Sequence, residues 1–383
     1  MWRRCLVFAC LISAIACCLG CQGISEKQPS PASSSRSGQI LYVINNLDVT
    51  TYAVDPDTLE SAVIGASVTL APPSSSLIQI LSSPNDHFLY ALWLDDQHQE
   101  HLSTYTTHAS GVPQLPPLQA LQVNSLSQFN IHPSGNFAYA LQVDASNNTY
   151  TSTLFLFEIQ ASGILRQPQT QGIYGPSLMP TLLQGLDPEG RELYLVSDDL
   201  NGPVYWQRSV NAQNGALGPD ILLFRPPAKD SVVFGATLIV DYENAMDCSR
   251  PRYVNIMRNT PNPPQPLIQC GSAMLDACGS ASDIQLDPSG VYLFLTDTGA
   301  QQVRVGRVDV PAAAVRDTGK FLAAPAQVPG FAFSPDGTLV YVLLANDSRL
   351  HIYGFDPTSG NLTLGSTSIS VPAGSGFLPA LRR

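Results

Sequence analysis

Short apolar runs recur along this chain, each closed by a tight polar turn and followed by a second β-rich run centred on a tyrosine. The turn has the form Asp/Ser/His-Pro-x-Gly. Its clearest copies are His132-Pro133-Ser134-Gly135 with Tyr139, Asp187-Pro188-Glu189-Gly190 with Tyr194, Asp287-Pro288-Ser289-Gly290 with Tyr292 and Ser334-Pro335-Asp336-Gly337 with Tyr341; Ser83-Pro84-Asn85-Asp86 with Tyr90 is a fifth. Proline presets φ for a turn, and Gly, Asn or Asp tolerates the left-handed backbone a tight hairpin requires. These turns end at positions 86, 135, 190, 290 and 337, and Gly38 before Leu41-Tyr42-Val43 is a further copy. The spacing is about fifty residues, so the gap between 190 and 290 holds two units, with a degenerate copy around Val232 to Val240.

Each unit runs on into another strand that ends in a polar hairpin, as in Tyr52-Ala53-Val54-Asp55, Phe155-Leu156-Phe157-Glu158, Trp206-Gln207-Arg208-Ser209, Val305 to Asp309 and Ile352 to Asp356. About four strands per unit, seven units, and no sustained period of 3.6 beyond the first twenty residues predict an all-β, seven-bladed β-propeller with scarce helix. A ring must close. Gly376-Phe377-Leu378-Pro379-Ala380-Leu381 resembles the short strand before each turn, and the copy at Gly38 lacks that strand. The C-terminus is therefore expected to supply the innermost strand of the first blade beside Ile40 to Val43, leaving no open edge there.

The first twenty residues break the pattern. Trp2-Arg3-Arg4 precedes an apolar run from Cys5 to Leu19, the layout of an export signal and short for a bilayer-spanning helix. Its end, Cys18-Leu19-Gly20-Cys21, resembles the lipobox of bacterial lipoproteins, which implies acylation at Cys21; Cys17 is a second candidate, and an ordinary secretory signal is the alternative. Residues 21–37 are Ser/Pro-rich and read as a tether, and residues 38–383 as the propeller. The expected location is the cell envelope, with the membrane engaged through the lipid.

Charge excludes one partner class. The chain carries 19 Lys+Arg against 30 Asp+Glu, and loss of Arg3 and Arg4 with the signal leaves 17 against 30. With no basic run outside the signal, nucleic acid is disfavoured, since binding there requires clustered cations on phosphates. Three cysteines lie in the propeller, Cys248, Cys270 and Cys278, and a Cys270–Cys278 or Cys248–Cys270 disulfide fits an oxidising compartment. No cysteine spacing matches a zinc site, and no cofactor is implied.

The repeats, with strings such as Leu41-Tyr42-Val43-Ile44-Asn45-Asn46, Pro335 to Val342 and Phe355-Asp356-Pro357-Thr358-Ser359-Gly360-Asn361-Leu362, resemble the lactonase-like branch of YVTN-type β-propellers over Gly38 to Arg383. That resemblance implies 6-phosphogluconolactonase-like chemistry, with His, Arg and Glu around the mouth of the central channel. In the family, Pro-Arg-His or Pro-His precedes the innermost strand. Here the matching stretches, Val123 to Gln128, Met179-Pro180-Thr181-Leu182 and Val328-Pro329-Gly330-Phe331, contain neither Arg nor His. Lactone hydrolysis needs a base and groups that hold developing charge, so the family's catalytic residues do not carry over. The leading expectation is a non-catalytic binding or assembly platform for an unidentified protein or small molecule, and the alternative a lactonase-type hydrolase with a rearranged site.

His132 occupies the turn position of Asp187, Asp287 and Ser334, which makes its role structural. His98-Gln99-Glu100-His101, after Asp95-Asp96, places imidazoles and carboxylates in one loop that by residue type suits a cation, or else is a solvated turn. The same loop class carries an acid in each unit: Asp48, Asp95, Asp144, Asp198, Asp241, Asp297 and Asp347. Asp95, His98, His101, Asp198 and Asp297 are thus the candidate loop-face ligand site, and Asp capping its own turn is the competing explanation. The fifth unit, Asp241 to Cys278, departs most from the repeat and is where a function would be added.

Overall fold

A computed structural model describes residues 38–381 apart from the internal segments 147–148, 178–179, 200–201, 225–230, 235–237, 243–251, 259–268, 276–283, 298–300, 310–313, 324–327, 329, 345–347 and 373–374. The signal, the tether, Cys21, Cys248 and Cys278 lie outside the described residues. Seven antiparallel sheets follow one another, each with strands a to d counted from the inside. Blade 2 is Ser76–Ser82, Phe88–Leu94, Glu100–Thr106 and Gln119–Val123; blade 3 is Leu126–Ile131, Phe137–Ser146, Thr149–Glu158 and Gln169–Ser177; blade 4 is Leu182–Leu186, Glu192–Asp199, Gly202–Ser209 and Ile221–Phe224. Blade 5 is Ser231–Phe234, Leu238–Tyr242, Arg252–Arg258 and Gln269–Leu275; blade 6 is Ile284–Leu286, Tyr292–Asp297, Gln302–Asp309 and Ala314–Ala323; blade 7 is Gly330–Phe333, Leu339–Leu344, Arg349–Asp356 and Asn361–Ser370. The degenerate copy around Val232 is the a–b hairpin of blade 5. No helix occurs among the described residues.

Blade 1 closes the ring as expected. Its strand a is the C-terminal Gly376–Leu381, paired with Gln39–Asn45 so that Ile40 faces Ala380 and Val43 faces Phe377; Asp48–Val54 follows, and Ser61–Val63 with Val68–Thr69 form a broken outer edge. Adjacent a strands meet in the series 330–333, 376–381, 76–82, 126–131 and 182–186, and 231–234 meets 284–286. The a strands therefore stand around a central axis.

Because side chains alternate across a strand, the blades whose side chains are described bury both faces against their neighbours. The core is accordingly a set of layers between blades. Tyr42, Ala91, Trp93 and Tyr105 fill the layer between blades 1 and 2, Tyr90, Leu102, Phe129 and Ala140 that between 2 and 3, and Leu41, Tyr341 and Ile352 the closing layer between 7 and 1. The repeat tyrosines Tyr42, Tyr90, Tyr139, Tyr194, Tyr292 and Tyr341 are all buried.

The turn chemistry explains the repeat. In four of the a–b turns the first residue accepts the N–H five positions on: Ser83 Oγ from Phe88 (3.0 Å), Asp187 Oδ1 from Glu192 (2.8 Å), Asp287 Oδ1 from Tyr292 (2.6 Å) and Ser334 Oγ from Leu339 (2.9 Å). Gly190 ends its turn at φ 70° with His132 directly against it, so a Cβ there would sit 2.3 Å from Nε2. His132 Nε2 lies 2.7 Å from the Gly190 carbonyl, and Nδ1 receives Ser134 N–H at 3.0 Å. It joins the turns of blades 3 and 4 and is structural.

Candidate functional site

In this topology the b–c hairpins and the d-to-a links share one end of every blade, and the a–b and c–d turns share the other. The b–c end carries the acids singled out in the sequence, apart from Asp347, which lies outside the described residues. Asp95 caps its own turn: Oδ1 accepts Gln97 N–H (2.9 Å) and Gln99 N–H (2.8 Å), while Oδ2 lies 2.8 Å from His101 Nε2. The hydrogen bond from His101, followed by those from the backbone, holds the Asp95 carboxyl below the ordinary range. His101 stacks on Trp93, with ring centroids 4.2 Å apart and planes 15° apart, and Trp93 donates Nε1–H to Ser103 Oγ at 3.0 Å. His98 occupies the left-handed position of the turn, φ 59°, and gives its N–H to the Asp95 carbonyl at 3.1 Å.

The structure thus brings Asp95 and His101 together and leaves His98 as the turn's corner. No group of three or more His, Cys, Asp or Glu side chains suited to a metal ion occurs among the described residues. Asp198 and Asp297 sit at the b–c ends of blades 4 and 6, paired with Pro203 and Gln302, and their side chains lie outside the description. Among the described residues, Asp48 accepts Thr69 Oγ1–H across the blade, and Asp144 accepts the Gln142 amide. Cys270 lies on strand d of blade 5 at a register shift, and the disulfide geometry falls outside the described residues.

Glu100 is the functional candidate that residue typing passed over. It begins strand c of blade 2, and Oε2 accepts the N–H of Leu126, the first residue of strand a of blade 3. That bond ties the b–c end of blade 2 to the start of the innermost strand of blade 3. Burial raises its carboxyl above the ordinary glutamate value, with the Leu126 bond opposing. Only the tertiary register reveals this: Glu100 faces blade 3 and His101, one residue on, faces blade 1, so the two adjacent residues serve different seams.

The channel wall is built from the a strands. Their inner edges would expose unpaired backbone groups, and side chains of the neighbouring blade take some of them: Gln79 Oε1 accepts Phe129 N–H at 2.9 Å, Gln128 Oε1 accepts Leu183 N–H, and Gln285 Nε2 donates to the Phe331 carbonyl at 2.7 Å. At bulges in blades 2, 3 and 4, Ile78, Ser127 and Gln184 fall out of register with strand b and are exposed. Bulges re-aim side chains and recur beside binding sites.

This architecture defines a seven-bladed β-propeller with a central channel. Residues 266–378, from the end of blade 5 into blade 1, match the family model described as Lactonase, 7-bladed beta-propeller. Among solved structures, the chain is similar to the periplasmic gluconolactonase of Pseudomonas aeruginosa (16% identity, TM-score 0.63, 89% of this chain and 99% of that one). It is also similar to a Bacteroides fragilis protein named for 6-phosphogluconolactonase (17%, TM-score 0.57, 91% and 99%) and to a Lactobacillus plantarum protein (14%, TM-score 0.63, 89% and 99%). Likeness at such identities carries the fold alone. No curated protein matches the chain.

Proposed function

We propose that this propeller hydrolyses sugar lactones, with Glu100 as the general base at the channel mouth. The observation that supports it is the match of residues 266–378 to the lactonase model, on a fold that spans 99% of a gluconolactonase chain. In the reaction, water adds to the lactone carbonyl as the base takes its proton. The ring C–O bond then breaks, and the departing alkoxide takes the proton back. A carboxyl whose proton affinity is raised by burial suits that exchange better than an ordinary solvated one. Asp95, with both oxygens engaged, suits it less.

The chain acts in the cell envelope, delivered by the signal in residues 1–20 and held by a lipid on Cys21 through the 21–37 tether. The lipid is tested by fatty-acid labelling: label lost in Cys21→Ser supports the anchor, and wild type without label removes it.

A second reading, a non-catalytic binding platform, is favoured by the absence of His and Arg from the three stretches that precede strands a of blades 3, 4 and 7. The two readings separate in one assay of glucono-1,5-lactone opening by pH-stat. Glu100→Gln keeps an oxygen for Leu126 N–H and loses the base, so hydrolysis is expected to fall about 100-fold with the fold intact. Wild type no faster than spontaneous opening would leave the platform.

A further inference from the structure

The seven a strands contain no Asp, Glu, Lys, Arg or His: SLIQILS, LSQFNI, LLQGL, SVVF, IQL, GFAF and GFLPAL. Many of the described side chains on these strands pack between blades, as Phe129, Leu183 and Phe331 do, so what the wall offers a ligand is set by those the bulges turn out. The side chains at these bulges are an aliphatic group, a hydroxyl and an amide, at Ile78, Ser127 and Gln184, the Ser127 hydroxyl donating to the Leu141 carbonyl at 3.0 Å. Two further amides, Gln79 and Gln128, spend their oxygens on the backbone of the next blade at the same level.

Around this neutral wall the b–c hairpins add negative potential from Asp48, Asp95, Asp96, Asp144 and Glu100. Arg304 on strand c of blade 6 and Arg349 at the start of strand c of blade 7 are the arginines described near those hairpin ends; Arg304 Nη1 lies 3.5 Å from Asp317 Oδ2 and Arg349 donates to Ser368 Oγ at 3.2 Å, so the described acids outnumber them. Recognition of a phosphate calls for Arg, Lys or a helix N-terminus aimed at it. The described channel wall offers none of these, and the acids on the rim repel a dianion.

We infer that the channel takes an uncharged, hydroxyl-rich ligand and turns away its phosphorylated counterpart; on the hydrolase reading above, on which the turnover part of this inference rests, the substrate is an unphosphorylated aldonolactone. The same field acts after the reaction. Hydrolysis turns a neutral lactone into a carboxylate, which the acidic rim disfavours, so product leaves rather than accumulating in the channel.

The test separates binding from turnover. Glucono-1,5-lactam, a neutral mimic that does not hydrolyse, and its 6-phosphate are titrated into the wild-type propeller by calorimetry, and both lactones are assayed by pH-stat. The lactam is expected to bind at least about tenfold more tightly than its 6-phosphate, with the gap narrowing as salt screens the rim. Gln184→Arg, which places a cation on the wall, is expected to close the gap from the phosphate side. Equal or tighter binding of the 6-phosphate, or no binding of either, overturns the inference. Lactam binding without lactone turnover keeps the ligand class and ends the hydrolase reading. Turnover of both lactones at equal rates keeps the hydrolase and ends the ligand class.

Discussion

Tyr139 of blade 3 donates its hydroxyl to the carbonyl of Gly215 in the c–d turn of blade 4, at 2.7 Å. The same bond recurs around the ring, from Tyr42 to Gly111 (2.8 Å), Tyr90 to Gly163 (3.2 Å) and Tyr292 to Thr358 (3.3 Å). Each links a repeat tyrosine to the next blade. The closing seam is built differently. Where Tyr341 of blade 7 would meet the turn of blade 1, Leu59 holds the left-handed corner, φ 59°, and its carbonyl accepts Thr367 Oγ1–H at 3.2 Å. The Tyr341 hydroxyl is buried with no partner among the described residues.

Two tyrosine-to-phenylalanine substitutions should therefore differ in sign. Tyr139→Phe removes the donor and leaves a buried carbonyl unsatisfied, at a cost of about 1–3 kcal/mol. Tyr341→Phe removes an orphaned hydroxyl and is expected to be neutral or stabilising by up to about 1 kcal/mol. Urea midpoints of the two variants decide it. Equal losses would mean that the Tyr341 hydroxyl contributes as much as that of Tyr139, and no loss in either would mean that both act through ring packing alone.

How much of this was legible beforehand follows from the kind of interaction involved. The a–b turn, the tyrosine after it and the closing strand at Gly376–Leu381 are local patterns, so the repeat exposed them and the seven sheets match. The destination of the tyrosine hydroxyl was not legible, because Tyr139 and Gly215 are 76 residues apart and only the stacking of blades joins them. The same reason hid Glu100: its neighbours in sequence are the histidines of a polar loop, and its partner, Leu126, belongs to another blade. Asp95 and His101 were close enough along the chain for the pairing to be suspected. The bulges at Ile78, Ser127 and Gln184 leave no residue signature, since Ile, Ser and Gln suit a regular strand as well.

The closing strand makes a second prediction. Gly376–Leu381 covers the inner edge of Gln39–Asn45, whose side chains are almost wholly buried. Deleting residues 376–383 bares that edge together with the apolar groups packed on it, including Ile40 and Val43, and an uncovered apolar edge strand pairs with other chains. The truncated chain is expected to elute as oligomers and to lose the cooperative melt of the wild type, read by light scattering and circular dichroism. A monomer with an unchanged melt would show that the other six seams hold the ring without its closure.

Glu192, at the start of strand b in blade 4, gives the pH dependence. It is buried, its Oε2 has no partner among the described residues, and desolvation, with a smaller contribution from the Asp187 charge, raises its carboxyl above the ordinary 4.5; Gln207 and Arg191 oppose. A raised acid means that the folded state holds the proton more tightly than the unfolded chain does. Below the unfolded value both states are protonated and the group costs nothing. As pH rises from about 4.5 through the raised folded value, stability falls, and above that value the penalty stays constant. Glu192→Gln carries no such penalty, so the variant should be more stable than wild type at pH 7, with the difference shrinking to nothing below about pH 4. Urea unfolding of both proteins across that range is the measurement. A variant less stable at pH 7 would show that the ionised carboxylate is needed, held by Gln207 and Arg191.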